Sequence, residues 1–109
     1  MANKIIEPEI IKNINKWLEK ISEIYNVEKV LVFGSYAKGT QHKDSDIDVA
    51  VVAKNITCDF DDGVKMMALT WGIDTRIEPH AFHSSDFKNI ETPFIQEIIN
   101  TGIEIYQAG

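Results

Sequence analysis

The 109 residues, 44% hydrophobic and 26% charged, suit one globular domain with a modest core, and a single domain over residues 1–109 is expected. Eleven Lys and Arg against 17 Asp and Glu leave a net charge of −6. That sign is opposite to the basic footprint that grips phosphate backbones, so duplex nucleic acid is not an expected partner. The single cysteine, Cys58, cannot form an internal disulfide, and neither a secretory leader pattern nor an 18-residue apolar span is visible, so a cytoplasmic protein with no membrane partner is expected.

From Glu9 to Tyr25, the residues Ile10, Ile14, Trp17, Leu18, Ile21, Ile24 and Tyr25 recur at three- and four-residue steps behind Pro8, which predicts an amphipathic helix. Val30 to Phe33 is a short apolar run stopped by Gly34 and predicts a buried strand. Ser35 to Lys38 can form one helical turn inside the polar stretch that runs to Ser45. Ile47 and the run Val49 to Ala53 then predict a central strand covered on both faces. Asp59 reads as the N-cap of a helix over Phe60 to Trp71, where Val64, Met67, Ala68 and Trp71 align as the buried stripe and Gly72 marks the end.

The stretch IDTRIEP, Ile73 to Pro79, alternates apolar and polar residues and predicts a third strand with Asp74, Arg76 and Glu78 on one face. A short turn capped at Ser84-Ser85-Asp86, a helix over Pro93 to Asn100 ended by Gly102, and a small edge strand at Ile103 to Tyr106 complete the chain. The interleaving gives an α/β (α+β) class with a single small mixed sheet and flanking helices; strand order does not follow from the sequence.

Two carboxylates at the mouth of a buried strand need a reason. Asp46 and Asp48 leave an extended chain on the same side, with Cβ atoms roughly 6–7 Å apart. Like charges held together without a counter-ion destabilise a fold, whereas a pair of carboxylates suits a hard dication, which takes oxygen ligands. Upstream, Gly34 lacks a Cβ at a strand end where backbone can come close to a ligand, and Ser35 adds a hydroxyl at the start of the predicted turn.

Gly34-Ser35, ten intervening residues and Asp46-Ile47-Asp48 resemble the signature of the polymerase β-like nucleotidyltransferases, and GSYAKG followed by SDIDVAVV looks like their minimal branch. The resemblance implies the palm fold of that superfamily, a phosphate- and nucleotide-binding set of Gly34, Ser35, Lys38 and Ser45, and metal-holding, catalytic carboxylates at Asp46 and Asp48. It also implies a third carboxylate on a neighbouring strand. Glu78 is favoured because Ile-Glu-Pro looks like the family's third-strand position, and Asp74 is the alternative. Lys38 stands where many relatives carry arginine, keeping the charge but losing the bidentate fork. The implied cofactor is Mg²⁺ or Mn²⁺, and ATP is the implied nucleoside triphosphate.

The implied activity is transfer of a nucleoside monophosphate, AMP from ATP, to a hydroxyl with release of pyrophosphate. Free-standing members of this branch resemble antitoxins paired with a HEPN-type toxin protein, which makes that partner the expected acceptor. The alternatives are a nucleotide-binding antitoxin that neutralises its partner by contact alone, and an aminoglycoside-type transferase that needs a partner chain for its acceptor site. His42, His80 and His83 show no zinc-ligand spacing with Cys58 and read as surface or cap residues, while Trp17, Trp71, Met66 and Met67 read as helix core.

Overall fold

The first apolar stripe forms the expected helix. In the computed structural model, which describes residues 6–42, 44–89 and 91–108, α1 spans Pro8–Ile21 and buries Ile10, Ile14, Trp17, Leu18 and Ile21. It is followed by β1 (Val27–Phe33), α2 (Ser35–Lys38), β2 (Ile47–Ala53), α3 (Asp59–Ala68), β3 (Ile77–His83), α4 (Ser84–Phe87), α5 (Pro93–Thr101) and β4 (Ile103–Gln107).

The strands form one mixed sheet in the order β3-β2-β1-β4. β1 runs antiparallel to β2 and β4, while β2 and β3 are parallel and joined by α3, the crossover that a parallel pair requires. Alternation along the strands sorts the core into two layers. Val30, Val32, Ile47, Val49, Val51 and Ile77 face the α1 stripe and Met66, whereas Leu31, Phe33, Ala50 and Val52 face Phe87, Ile95 and Ile98 of α4 and α5. The central strands are thus apolar on both faces, which is why β2 reads as a nearly unbroken hydrophobic run. Among the described residues no helix is long and apolar enough to cross a membrane.

Two elements differ from the sequence reading. The third strand occupies Ile77–His83, four residues beyond its expected start at Ile73. Asp74 accepts from the Arg76 backbone N–H at 3.1 Å and from its guanidinium at 2.9 and 2.8 Å, so this stretch folds into a local turn before extension begins.

The second difference is the phase of α3. Its N-cap is Cys58 instead of Asp59, and Asp62 and Met66 point inward. Asp62 accepts from the Tyr25 hydroxyl at 2.7 Å and from the Thr57 and Cys58 amides at 2.9 and 3.1 Å, while the Trp17 indole N–H donates to the Met66 carbonyl at 2.8 Å. These bonds outweigh the apolar stripe. Val64 and Met67 face outward, 53% and 45% exposed, and the helix stops at Ala68, leaving Trp71 in the next turn at 75% exposure.

Burial pushes the Asp62 carboxyl up, but its bonds from Tyr25, Cys58 and Thr57 outweigh that and hold it below the ordinary aspartate range. A group with a lowered folded pKa gives stability that is complete above its unfolded value and is lost as pH falls through the folded one. Asp62→Ala leaves three donors without their acceptor and should cost about 2–4 kcal/mol near neutral pH. Urea titrations from about pH 7 down to about pH 3 should show the gap to the parent chain narrowing with acid; a gap independent of pH would contradict this assignment.

Candidate active site

One end of the sheet collects the chemistry. β1 ends at Phe33, and antiparallel pairing sets Phe33 opposite Asp48 near the start of β2. Parallel pairing sets Asp48 beside Glu78 near the start of β3. Three strands therefore deliver Gly34-Ser35, Asp48 and Glu78 to the same edge. Gly34 has φ 71°, a conformation that disfavours any residue with a Cβ. A Cβ at this position would overlap the Oδ2 atom of Asp48. The glycine thus lets the Gly34-Ser35 turn and the carboxylate pack against each other, and α2 starts at the next residue, its leading amides having no intrahelical acceptor.

On β3, Glu78 and His80 share a face. The His80 Nε2 lies 3.3 Å from Asp48 Oδ1 and 3.9 Å from Glu78 Oε1. One ligand atom from each of Asp48, Glu78 and His80 falls within a 4.8 Å cluster. The imidazole ring packs edge-on against a pair of touching phenylalanines, Phe33 and Phe94, at centroid distances of 5.0 and 6.0 Å. Burial raises the Glu78 pKa above the ordinary glutamate range, and the neighbouring Asp48 and Asp46 carboxylates add to the rise while His80 opposes it. Like charges gathered around an imidazole nitrogen are a donor set that a divalent cation fits and that bare protein tolerates poorly.

Glu78 and His80 also line a cleft of about 410 Å³. Its walls are Phe60, Val64 and Met67 of α3 together with Phe82 and Phe94. Gly63 sits where α3 crosses close to the β3 backbone, a Cβ there meeting the Pro79 carbonyl at 3.8 Å.

The other residues singled out in the sequence are distributed as follows. Asp46 is exposed, one residue ahead of β2, and acts on Glu78 through its charge and side chain. Ser35 is half-buried at the start of α2. Lys38 pairs with Glu97 of α5 at 3.4 Å, both groups being solvated. The Ser45 hydroxyl accepts the His42 N–H at 2.9 Å and so closes the loop that leads into β2. Asp74 lies elsewhere: besides Arg76 it accepts from Asn13 of α1 at 3.1 Å, and α1 covers the face of the sheet opposite Asp48 and Glu78. The Arg76 bonds, opposed by burial, hold Asp74 below the usual aspartate range.

His80 is the residue that the sequence reading missed. His83 does act as a cap, accepting the Ser85 N–H at 3.0 Å, and His42 is exposed. His80 instead joins the carboxylates. The signal was the two-residue step from Glu78 to His80, which places both on one face once the strand is set at Ile77–His83.

The sequence profile described as polymerase beta, nucleotidyltransferase matches residues 12–108. A Methanocaldococcus jannaschii protein, described as a candidate protein adenylyltransferase, is 32% identical over 102 residues, spanning 89% of this chain and 99% of the relative. The protein adenylyltransferase MntA of Shewanella oneidensis is 28% identical over 100 residues, or 92% of this chain, which spans 64% of that relative's length. Among solved structures, a toxin–antitoxin with AMP-PNP superposes with a TM-score of 0.60 at 23% identity, covering 90% of this chain and 73% of that one. This last likeness is one of fold.

Proposed function

Because the chain belongs to the polymerase β nucleotidyltransferase family, we propose that it is a divalent-metal-dependent adenylyltransferase of the cytoplasm that moves AMP from ATP to a hydroxyl on a HEPN-type toxin, and so serves as the antitoxin of a pair. The observation that carries this reading is the meeting of Gly34, Asp48 and Glu78 at one sheet end. The names of the relatives support the adenylyl group and the protein acceptor, and the AMP-PNP complex of the toxin–antitoxin supports a nucleotide site.

In the proposed reaction a hydroxyl oxygen attacks the α-phosphorus of ATP, the bond from that phosphorus to its bridging oxygen breaks, and pyrophosphate leaves. Bound cations would neutralise the triphosphate oxygens and lower the pKa of the attacking hydroxyl. The Gly34-Ser35 turn would receive the phosphates, with Asp46 and Asp48 holding the metal beside them. Glu78, set beside Asp48 by the β2–β3 register, would orient the acceptor and take its proton on the carboxylate. Across the sheet the order is phosphate turn, Asp48, Glu78, cleft, which leaves the cleft for the acceptor.

The surface beside the cleft favours a protein acceptor over a small molecule. Phe60, Val64 and Met67 of α3, and Trp71 in the turn that follows it, are 77%, 53%, 45% and 75% exposed. Apolar side chains gathered in this way on one side of a small domain suit a protein contact. The test incubates the chain with ATP labelled at the α-phosphate, Mg²⁺ or Mn²⁺, and its toxin partner. Label on the partner is the expected result; label on an aminoglycoside alone, or none on either, contradicts the reading. Phe60→Asp combined with Trp71→Asp should lower labelling of the partner at least about tenfold, the loss expected when central apolar anchors of an interface are removed. The same stripe allows a second reading, neutralisation by contact alone, in which Asp48→Asn would still suppress toxicity.

A further inference from the structure

We propose that His80 is itself a ligand to the divalent cation and turns the preference of the site from Mg²⁺ toward Mn²⁺. The inference rests on the metal-dependent reading above and adds a residue that the Gly-Ser and Asp-x-Asp pattern does not contain. Its basis is geometric. The His80 Nε2 faces both Asp48 Oδ1 and Glu78 Oε1, at 3.3 and 3.9 Å, so the three donors converge on one point. Phe33 and Phe94, themselves in edge contact at 5.7 Å, both pack against the ring, so the nitrogen is presented without ordering a free side chain.

Mg²⁺ takes oxygen ligands at near-ideal octahedral positions and rarely a nitrogen, whereas affinity for imidazole rises along the first-row transition ions from Mn²⁺ upward. With carboxylates alone, the site would have no reason to discriminate on ligand softness. A nitrogen in the set supplies one: Mn²⁺ favours oxygen ligands as Mg²⁺ does, and so keeps the flanking carboxylates, but it accepts an imidazole more readily. A neutral imidazole bound through Nε2 carries its proton on Nδ1.

Mn²⁺ binding to the untagged protein, followed by the loss of the free-ion electron paramagnetic resonance signal and by pulsed detection of ¹⁴N coupling, tests this directly. The parent chain should show ¹⁴N coupling to bound Mn²⁺ and should need a large excess of Mg²⁺ for displacement. In His80→Asn the coupling should vanish and Mn²⁺ affinity fall about tenfold or more, with Mg²⁺ affinity little changed and the thermal melt showing a folded chain. Bound Mn²⁺ without ¹⁴N coupling, or coupling that survives in His80→Asn, overturns the role of His80 while leaving the carboxylate site standing. Failure of the parent chain to bind either ion overturns both this inference and the metal-dependent reaction.

Discussion

Asp48→Asn is expected to lower AMP transfer by roughly a thousandfold or more while leaving the sheet intact, since several kcal/mol of charge stabilisation at a phosphoryl group converts to that factor. Asp48 joins every part of the proposed site: its Oδ2 fills the space that a Cβ on Gly34 would need, its Oδ1 faces His80, and the strand register places it beside Glu78. The asparagine is isosteric, so packing against Gly34 survives. What it removes is the charge that helps to hold Glu78 in its raised state. The variant should therefore melt no lower than the parent chain in the absence of metal, because repulsion within the cluster is relieved. Label transfer and thermal melts on the same samples check both halves, and a variant that transfers AMP at the parent rate would remove Asp48 from the chemistry.

Gly34→Val should be the most damaging change that replaces no titrating group. The residue combines φ 71° with ψ −147°, a region essentially reserved for glycine that costs any side chain about 1–3 kcal/mol, and its Cβ would occupy the space of the Asp48 carboxylate. A backbone penalty and a displaced carboxylate then arrive together. The expected loss is about 2–4 kcal/mol of stability with transfer reduced as far as in Asp48→Asn. Gly72→Ala separates the two causes: Gly72 also has positive φ, at 82°, but a Cβ there would meet nothing within 4 Å. It should lose only the backbone share, about 1 kcal/mol, and keep its transfer rate. Denaturant titrations and initial rates on both variants decide this, and equal rates for Gly34→Val and the parent chain would show that close packing of the turn on Asp48 is not needed.

Much of this arrangement was legible because local chemistry and tertiary packing agree. The α1 stripe, the stop at Gly34 and the run Val49 to Ala53 each record a burial that the fold carries out. The spacing from Gly34-Ser35 to Asp46 and Asp48 was readable because β1 and β2 pair antiparallel and return the chain to the same edge. What failed did so where polar bonds override apolar periodicity. In α3, Asp62 is buried among its three donors and turns Val64 and Met67 outward, against the direction that hydrophobicity favours. At Asp74 the bonds to Arg76 and Asn13 hold a turn where alternation suggested a strand, and this masked the shared face of Glu78 and His80.

The choice between Glu78 and Asp74 reaches the centre of the proposal, because one lies beside Asp48 in the sheet and the other is tied to α1 on the opposite face. The decisive measurement is transfer of label from α-labelled ATP to the partner, with and without a chelator, by Glu78→Gln and Asp74→Asn in parallel. The site described predicts transfer that requires a divalent ion, collapses in Glu78→Gln and persists in Asp74→Asn once its lower stability is allowed for. Transfer that survives chelation, or that is lost in Asp74→Asn and kept in Glu78→Gln, would contradict it.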